Sequence, residues 1–225
     1  MNTMSFFLGV IKPGTPMIRV KIELLDTNIR RTIVVPSNLT LENFAYVIQV
    51  AVGWDGSHPW EFYQGKDLVW NCDVFEDESY DSAAFPWMHA RKKLAPRLHT
   101  VAEVFPARGR RLYFTYDFGD SWEHVIYRMG DPKEGAMPCC EKTSGTWGVD
   151  DIGGPWALMG IIESLQKWDK NCTDAECREG ELSGDMRFWY GWGKKAVREA
   201  FLAGPTTDEV TAKLSQMFRD PETSQ

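Results

Sequence analysis

This chain has no apolar run approaching the ~18 residues that cross a bilayer, so no membrane-spanning helix is expected. Positive charge is in short supply, with 25 Lys and Arg against 32 Asp and Glu, for a net charge of −7 and a pI near 5.2. Neutralising phosphates takes Lys and Arg, so this balance makes a poor non-specific nucleic-acid binder. Histidines number four and cysteines five. Five is odd, and no basic region precedes the short apolar stretch Ser5 to Ile11, which reads as an N-terminal strand rather than a signal peptide. The expectation is a cytoplasmic protein with reduced thiols. Cys139 and Cys140 are adjacent, Cys172 and Cys177 are separated by four residues, and Cys72 stands alone, so none has the usual spacing of a zinc site. Also missing are a P-loop, a G-x-G-x-x-G turn, an H-E-x-x-H helix and a nucleophile elbow. Nucleotide-dependent and serine-hydrolase mechanisms therefore lack their motifs, and no cofactor is implied.

What is present is an ordinary packed composition rich in large rings. The 225 residues are 43% hydrophobic and 25% charged, enough to bury a sizeable core without staples, and include ten Trp, twelve Phe and seven Tyr. Met17 to Leu25 alternates and Arg30 to Val35 is β-branched, with Asp26-Thr27-Asn28 as the turn between two strands. Thr40 then caps a helix whose apolar positions Leu41, Phe44, Ala45, Ile48, Ala51 and Val52 keep the 3.6-residue period until Gly53. His58 to Tyr63 and Lys66 to Asn71 read as a hairpin. Asp73 to Arg97 is a long aperiodic excursion, and a short helix spans His99 to Phe105. A second hairpin has arms Leu112 to Phe118 and Trp122 to Tyr127. Pro155 opens a helix through Trp168, and two more follow at Lys194 to Leu202 and Thr206 to Phe218. The fold class is α+β: a mixed sheet opened by a ββα unit, with further hairpins and a helical C-terminal cover. The expected division is a core over residues 1–168 and a helical extension over 169–225 packed on it.

Chemistry concentrates in Tyr116-Asp-Phe-Gly-Asp-Ser-Trp-Glu-His124. A two-residue turn at Gly119-Asp120 would face Asp117 with Trp122 and Thr115 with His124, bringing all four to one face of the ribbon. Two readings stand together. Asp117, Asp120 and His124 form a polar site beside Trp122, or the aspartates hold the turn by accepting backbone N–H bonds while Trp122 packs inside. His58, expected on a strand with Trp60 and Phe62, reads either as a half-buried core histidine or as a ligand. Asp150 and Asp151 precede a helix, where they either cap it or approach the hairpin tip to build a carboxylate-rich pocket. The basic stretch Arg91 to Arg111 follows the acidic run Asp73 to Asp81, and the pair reads as a self-complementary loop or a docking patch.

The ordered set Arg31 to Pro36, Thr40-Leu41, Ile48-Gln49, Gly53-Trp54, His58 through Phe62, Tyr116 through His124 and Asp150-Asp-Ile-Gly-Gly154 resembles the plasmid pRiA4b ORF-three-like family, some of whose members carry an insertion-element resolvase label. The resemblance covers residues 17 to about 168 and implies a mobile-element accessory role, without an established activity. A recombinase needs a catalytic serine or tyrosine among several arginines, and this acidic chain has no such arrangement. Family members usually place a second histidine where Trp60 stands. They often bracket a Pro-Pro-Glu-Asp loop with cysteines, where this chain reads Trp147-Gly-Val-Asp-Asp-Ile152. A metal site built from those groups is not expected here.

The resulting expectation is a binding or interaction module for a protein partner or small ligand, with nucleic acid and membrane disfavoured, and more a binding protein than an enzyme. Trp54, Trp60 and Trp122 would floor the face, and His58, Asp117, Gly119, Asp120, His124, Asp150 and Asp151 would line it. The alternative is a metal-dependent hydrolase ligating Mg²⁺ or Mn²⁺ through Asp117, Asp120 and His124, with His58 or Asp151 as a further ligand.

Overall fold

The computed structural model describes residues 7–66, 68–73, 92–105, 109–167 and 195–219. One eight-stranded sheet organises them, in the order β5-β4-β3-β6-β7-β1-β2-β8. The opening ββα unit is β1 (Met17–Leu24), β2 (Arg30–Pro36) and α1 (Leu41–Val52). Thr40 caps α1 by accepting the Asn43 N–H at 3.2 Å. Gly53 ends it in the left-handed region (φ 112°), and its N–H bonds to the Gln49 carbonyl. Next come β3 (Trp60–Gln64), β4 (Leu68–Asn71) and the three-residue edge strand β5 (Lys92–Leu94), which runs parallel to β4 and makes the sheet mixed. A 3₁₀ turn at Pro96–Leu98 and the one-turn helix α2 (Val101–Val104) lead to the hairpin β6 (Arg111–Tyr116) and β7 (Trp122–Arg128). The chain ends in β8 (Cys139–Ser144), α3 (Gly154–Lys167), α4 (Lys195–Ala203) and α5 (Thr207–Met217).

Alternation decides which face is covered. Ile18, Val20, Ile22 and Leu24 of β1 point inward, and their partners across the ladders put Ile33, Val35, Ile126 and His124 on the same side. Onto that face α1 lays Leu41, Phe44, Ala45, Ile48, Ala51 and Val52, while α3 adds Leu158, Ile161, Ile162 and Leu165. Each such aliphatic or aromatic side chain contributes about 1.5–3 kcal/mol on burial. The other face carries ion pairs, Arg19 to Glu141 at 2.5 Å and Glu23 between Lys21 and Arg30, together with a stacked Tyr63–Tyr113 pair. Besides His124, Arg31 breaks the inward apolar pattern. Arg31 is buried without a carboxylate, donating instead to the carbonyls of Ala51 at the end of α1, Arg30, Ser144 and Thr146. Burial lowers its pKa to about 10, so it stays charged at neutral pH and favours the carbonyl end of α1.

Two expectations need correction or limits. Residues 7–11 are not a strand: Gly9 turns them with φ 103°, and Leu8 makes a single backbone bond, to Met217. Most of the Asp73 to Arg97 excursion, Cys172 and Cys177 lie outside the described residues. Of the basic stretch, Lys92 and Lys93 are exposed on the edge strand, and Arg111 sits over the Tyr127 ring at 5.3 Å. Among the described residues no helix is long and apolar enough to cross a membrane.

Candidate functional site

Three segments distant in sequence meet at one end of β3, β6 and β7: the exit of α1 (residues 53–58), the β6–β7 loop (117–121) and the entrance to α3 (146–154). The middle segment differs from expectation. Tyr116 pairs with Trp122 and Phe114 with His124, leaving a five-residue loop rather than a two-residue turn. Asp117 and Ser121 both adopt left-handed backbone (φ 55° and 54°), and the Ser121 N–H bonds to the Asp117 carbonyl at 2.7 Å. The one-residue change of register moves Trp122 and His124 to the buried face with Phe114 and Tyr116, away from Thr115 and Asp117. Burial decides it, because the observed pairing removes four large rings from water together.

His124 is thereby sealed. Its Nδ1 lies 3.0 Å from the Phe114 carbonyl, which can only accept, and its Nε2 lies 3.3 Å from Trp54 Nε1, which can only donate. The ring is therefore neutral with its proton on Nδ1. Burial pushes its pKa down to about 4. Trp54 also stacks on Tyr116 at 5.2 Å and tilts against Trp122 at 4.8 Å. Trp54, Trp60 and Trp122 are all buried, so the expected floor lies beneath the loops rather than open to a ligand. The expected ligand trio of Asp117, Asp120 and His124 is not assembled, because both nitrogens of His124 are already engaged inside.

The histidine that meets an acid is His58, just ahead of β3 and edge-on to Tyr116 at 5.7 Å. Its Nδ1 faces Asp117 Oδ2 at 3.7 Å, and its Nε2 faces Asp151 Oδ1 at 3.2 Å. Asp117 is held for this: Oδ1 accepts the N–H groups of Gly119 (2.9 Å) and Asp120 (3.4 Å), and its own N–H bonds to the Pro59 carbonyl. Asp120 reaches the third segment, accepting the Gly153 N–H through Oδ2 at 3.0 Å. Neighbouring Gly154 has φ 85°, and a Cβ there would stand 2.9 Å from the Asp120 carbonyl oxygen, so only glycine fits this approach.

Behind this layer, Asp150 Oδ2 accepts the Asp55 N–H at 3.0 Å, and Asp150 also hydrogen-bonds Tyr116. Asp55 Oδ1 accepts from the Ser57 N–H at 2.8 Å and hydroxyl at 2.5 Å, and from the Tyr116 hydroxyl at 3.4 Å. Burial raises the Asp150 pKa against the pull of the Asp55 N–H and Tyr116. It raises Tyr116 as well, helped by the nearby carboxylates of Asp150 and Asp55. At Asp55 burial again opposes ionisation, but the Ser57 donors, the nearby His58 and the Tyr116 hydroxyl together outweigh it and hold the carboxyl below its usual range. The junction thus gathers Asp55, Asp117, Asp120, Asp150 and Asp151, while the three segments contain no Lys or Arg.

Asp55, Ser57 and Tyr116 were not among the candidates read from sequence, nor were the exposed rings of Phe118 (45%) and Trp156 (81%). The available signal for the first two was Asp-Gly-Ser directly after a helix end, an Asx-type turn whose acid is thereby fixed.

The family whose model matches residues 16–191 is described as plasmid pRiA4b ORF-3-like protein. The chain is 28% identical over 153 residues to a protein of Sinorhizobium fredii described as uncharacterized protein y4hQ, covering 66% of this chain and 73% of that one. The crystal structure of MM3350 from Methanosarcina mazei Go1, described as a protein of unknown function, superposes with a TM-score of 0.56 at 19% identity. That match covers 77% of this chain and 87% of the other, and it shows the fold.

Proposed function

The chain belongs to the plasmid pRiA4b ORF-3-like family, and from that premise we propose that it is a binding module that takes a positively charged group at the three-segment junction. One observation carries the reading: a single imidazole is held between Asp117 and Asp151 with the Asp55 and Asp150 carboxylates close behind, and the three segments that bring them contain no Lys or Arg. Such a cluster focuses negative potential at a fixed point, whatever the sign of the remaining surface. Phe118 on the β6–β7 loop and Trp156 in the first turn of α3, both exposed, give a partner apolar area and two ring faces that favour cations. A cytoplasmic setting rests on the odd cysteine count and on the free thiols Cys72, Cys139 and Cys140. An accessory role on a mobile element has the plasmid in the family's description as its support.

The test is thermal unfolding of the full chain at constant ionic strength with MnCl₂, MgCl₂, CaCl₂ or spermidine. At least one of these cations raises the melting temperature of the wild type, and the rise disappears in Asp151→Asn. That variant changes a side chain 75% exposed and leaves the fold intact by circular dichroism. A chain indifferent to all four cations would sink the reading.

A further inference from the structure

Resting on the junction as the binding site, we infer that the cation it takes is a divalent metal ion ligated by His58, Asp117 and Asp151. One donor atom from each residue lies within 4.8 Å of the other two, a spacing that small side-chain rotations close onto a shared ion. The supports of the three ligands are unequal in the way a metal site requires. Asp117 is fixed from behind by the two backbone N–H groups on Oδ1, which leaves Oδ2 turned toward His58. His58 is held near Asp117 through the next residue, Pro59, whose carbonyl accepts the Asp117 N–H. Asp151 is the movable member, mostly exposed and free to bring its carboxylate in.

The second, independent observation is at His58 Nε2. That atom is buried from solvent and makes no hydrogen bond, although Asp151 Oδ1 stands 3.2 Å away. The contact lacks the alignment of an N–H donor pointing at an acceptor. A desolvated ring nitrogen left without a hydrogen bond beside a carboxylate is unfavourable by itself, and a cation seated against both atoms satisfies them. Two carboxylates and one imidazole form a predominantly hard oxygen set with positions left for water, which suits Mn²⁺ or Mg²⁺. Asp55 and Asp150 sit behind, where Asp55 Oδ1 accepts from Ser57 and Tyr116 and Asp150 Oδ2 accepts the Asp55 N–H, and they add negative potential. The ion so held would pin the α1 exit, the β6–β7 loop and the α3 entrance to one another.

Direct titration of the full-length wild type with Mn²⁺, followed by the loss of its free electron-paramagnetic-resonance signal, tests this. The expected result is one Mn²⁺ per chain with a Kd below about 1 mM. Asp151→Asn and His58→Gln, each checked for native circular dichroism, weaken it by at least about tenfold. Met137→Ala, which changes an exposed side chain outside the three segments and removes no donor, binds Mn²⁺ as the wild type does. Binding that is absent, or unchanged in both donor variants, overturns the metal assignment. Should spermidine still stabilise the wild type in that event, the cationic junction stands and the metal alone falls; should neither probe bind, both fall.

Discussion

His124 carries a stability signature that depends on acid. Unfolded, its ring titrates near 6.5, and folded it titrates near 4, because burial disfavours the imidazolium and its neighbours are the Phe114 carbonyl and the Trp54 N–H. Between those values the unfolded chain binds a proton that the native chain refuses, so stability is whole above pH 6.5 and falls as pH drops toward 4. A shift of that size removes about 2 kcal/mol between pH 7 and pH 5. In His124→Gln the amide can donate to Phe114 and accept from Trp54 without titrating. Urea unfolding at the two pH values should show the wild type losing about 2 kcal/mol more than this variant. Equal losses would mean the ring is not sealed as described. The residue's identity was visible in the sequence, but its role was not. His124 next to acids suggested a site, and only the partner strands show that it faces Phe114 and Trp54 instead.

At the scale of elements, local signals were readable and the pairing of elements was less so. The ββα opening was legible because alternation, the Thr40 cap and the Gly53 stop are all short-range features. The β6–β7 turn misleads because Gly119-Asp120 is a good two-residue turn in isolation. Yet that turn would strand Trp122 and His124 beside Thr115 and Asp117. The native register spends two left-handed residues, Asp117 and Ser121, and gains the burial of Phe114, Tyr116, Trp122 and His124 on one face. The junction itself is tertiary, since nothing near His58 in sequence announces Asp117 or Asp151. Gly154 tests the approach of the two loops. Alanine there meets the Asp120 carbonyl oxygen and must hold φ near 85°, so the Gly153 N–H to Asp120 bond is lost with it. We expect Gly154→Ala to cost about 2 kcal/mol or more, read as a fall of at least about 4 °C in melting temperature. An unchanged melting temperature would show that the α3 entrance does not press on the hairpin tip.

For the whole molecule the open question is whether the C-terminal helices are an appendage or part of the core, since the sequence suggested an extension beginning at residue 169. Residues 195–219 of that extension pack directly against the core. Val210, Leu214, Met217 and Phe218 are buried in the same cluster as the sheet's inward face, and α5 covers the outer edge of β8. Thr211 accepts the Cys140 N–H at 2.9 Å, and Thr143 donates to the Pro205 carbonyl at 2.8 Å, so part of an otherwise open edge is satisfied by this segment. Even the N-terminal stretch is tied in, through the Leu8 N–H to the Met217 carbonyl. Four buried side chains at about 1.5–3 kcal/mol each sum to the order of the 5–15 kcal/mol that holds a whole domain together. A chain ending at Lys167 should therefore fail to fold cooperatively, showing no sigmoidal urea transition, binding a hydrophobic dye and associating through the uncovered β8 edge. Full-length protein should unfold in one transition, with probes in α5 and in the central strands melting together. If the truncated chain instead kept a sharp transition, the sheet with α1 and α3 would be a complete core and α5 a dispensable cover, and the strands β1, β2 and β7 would supply the missing stability unaided.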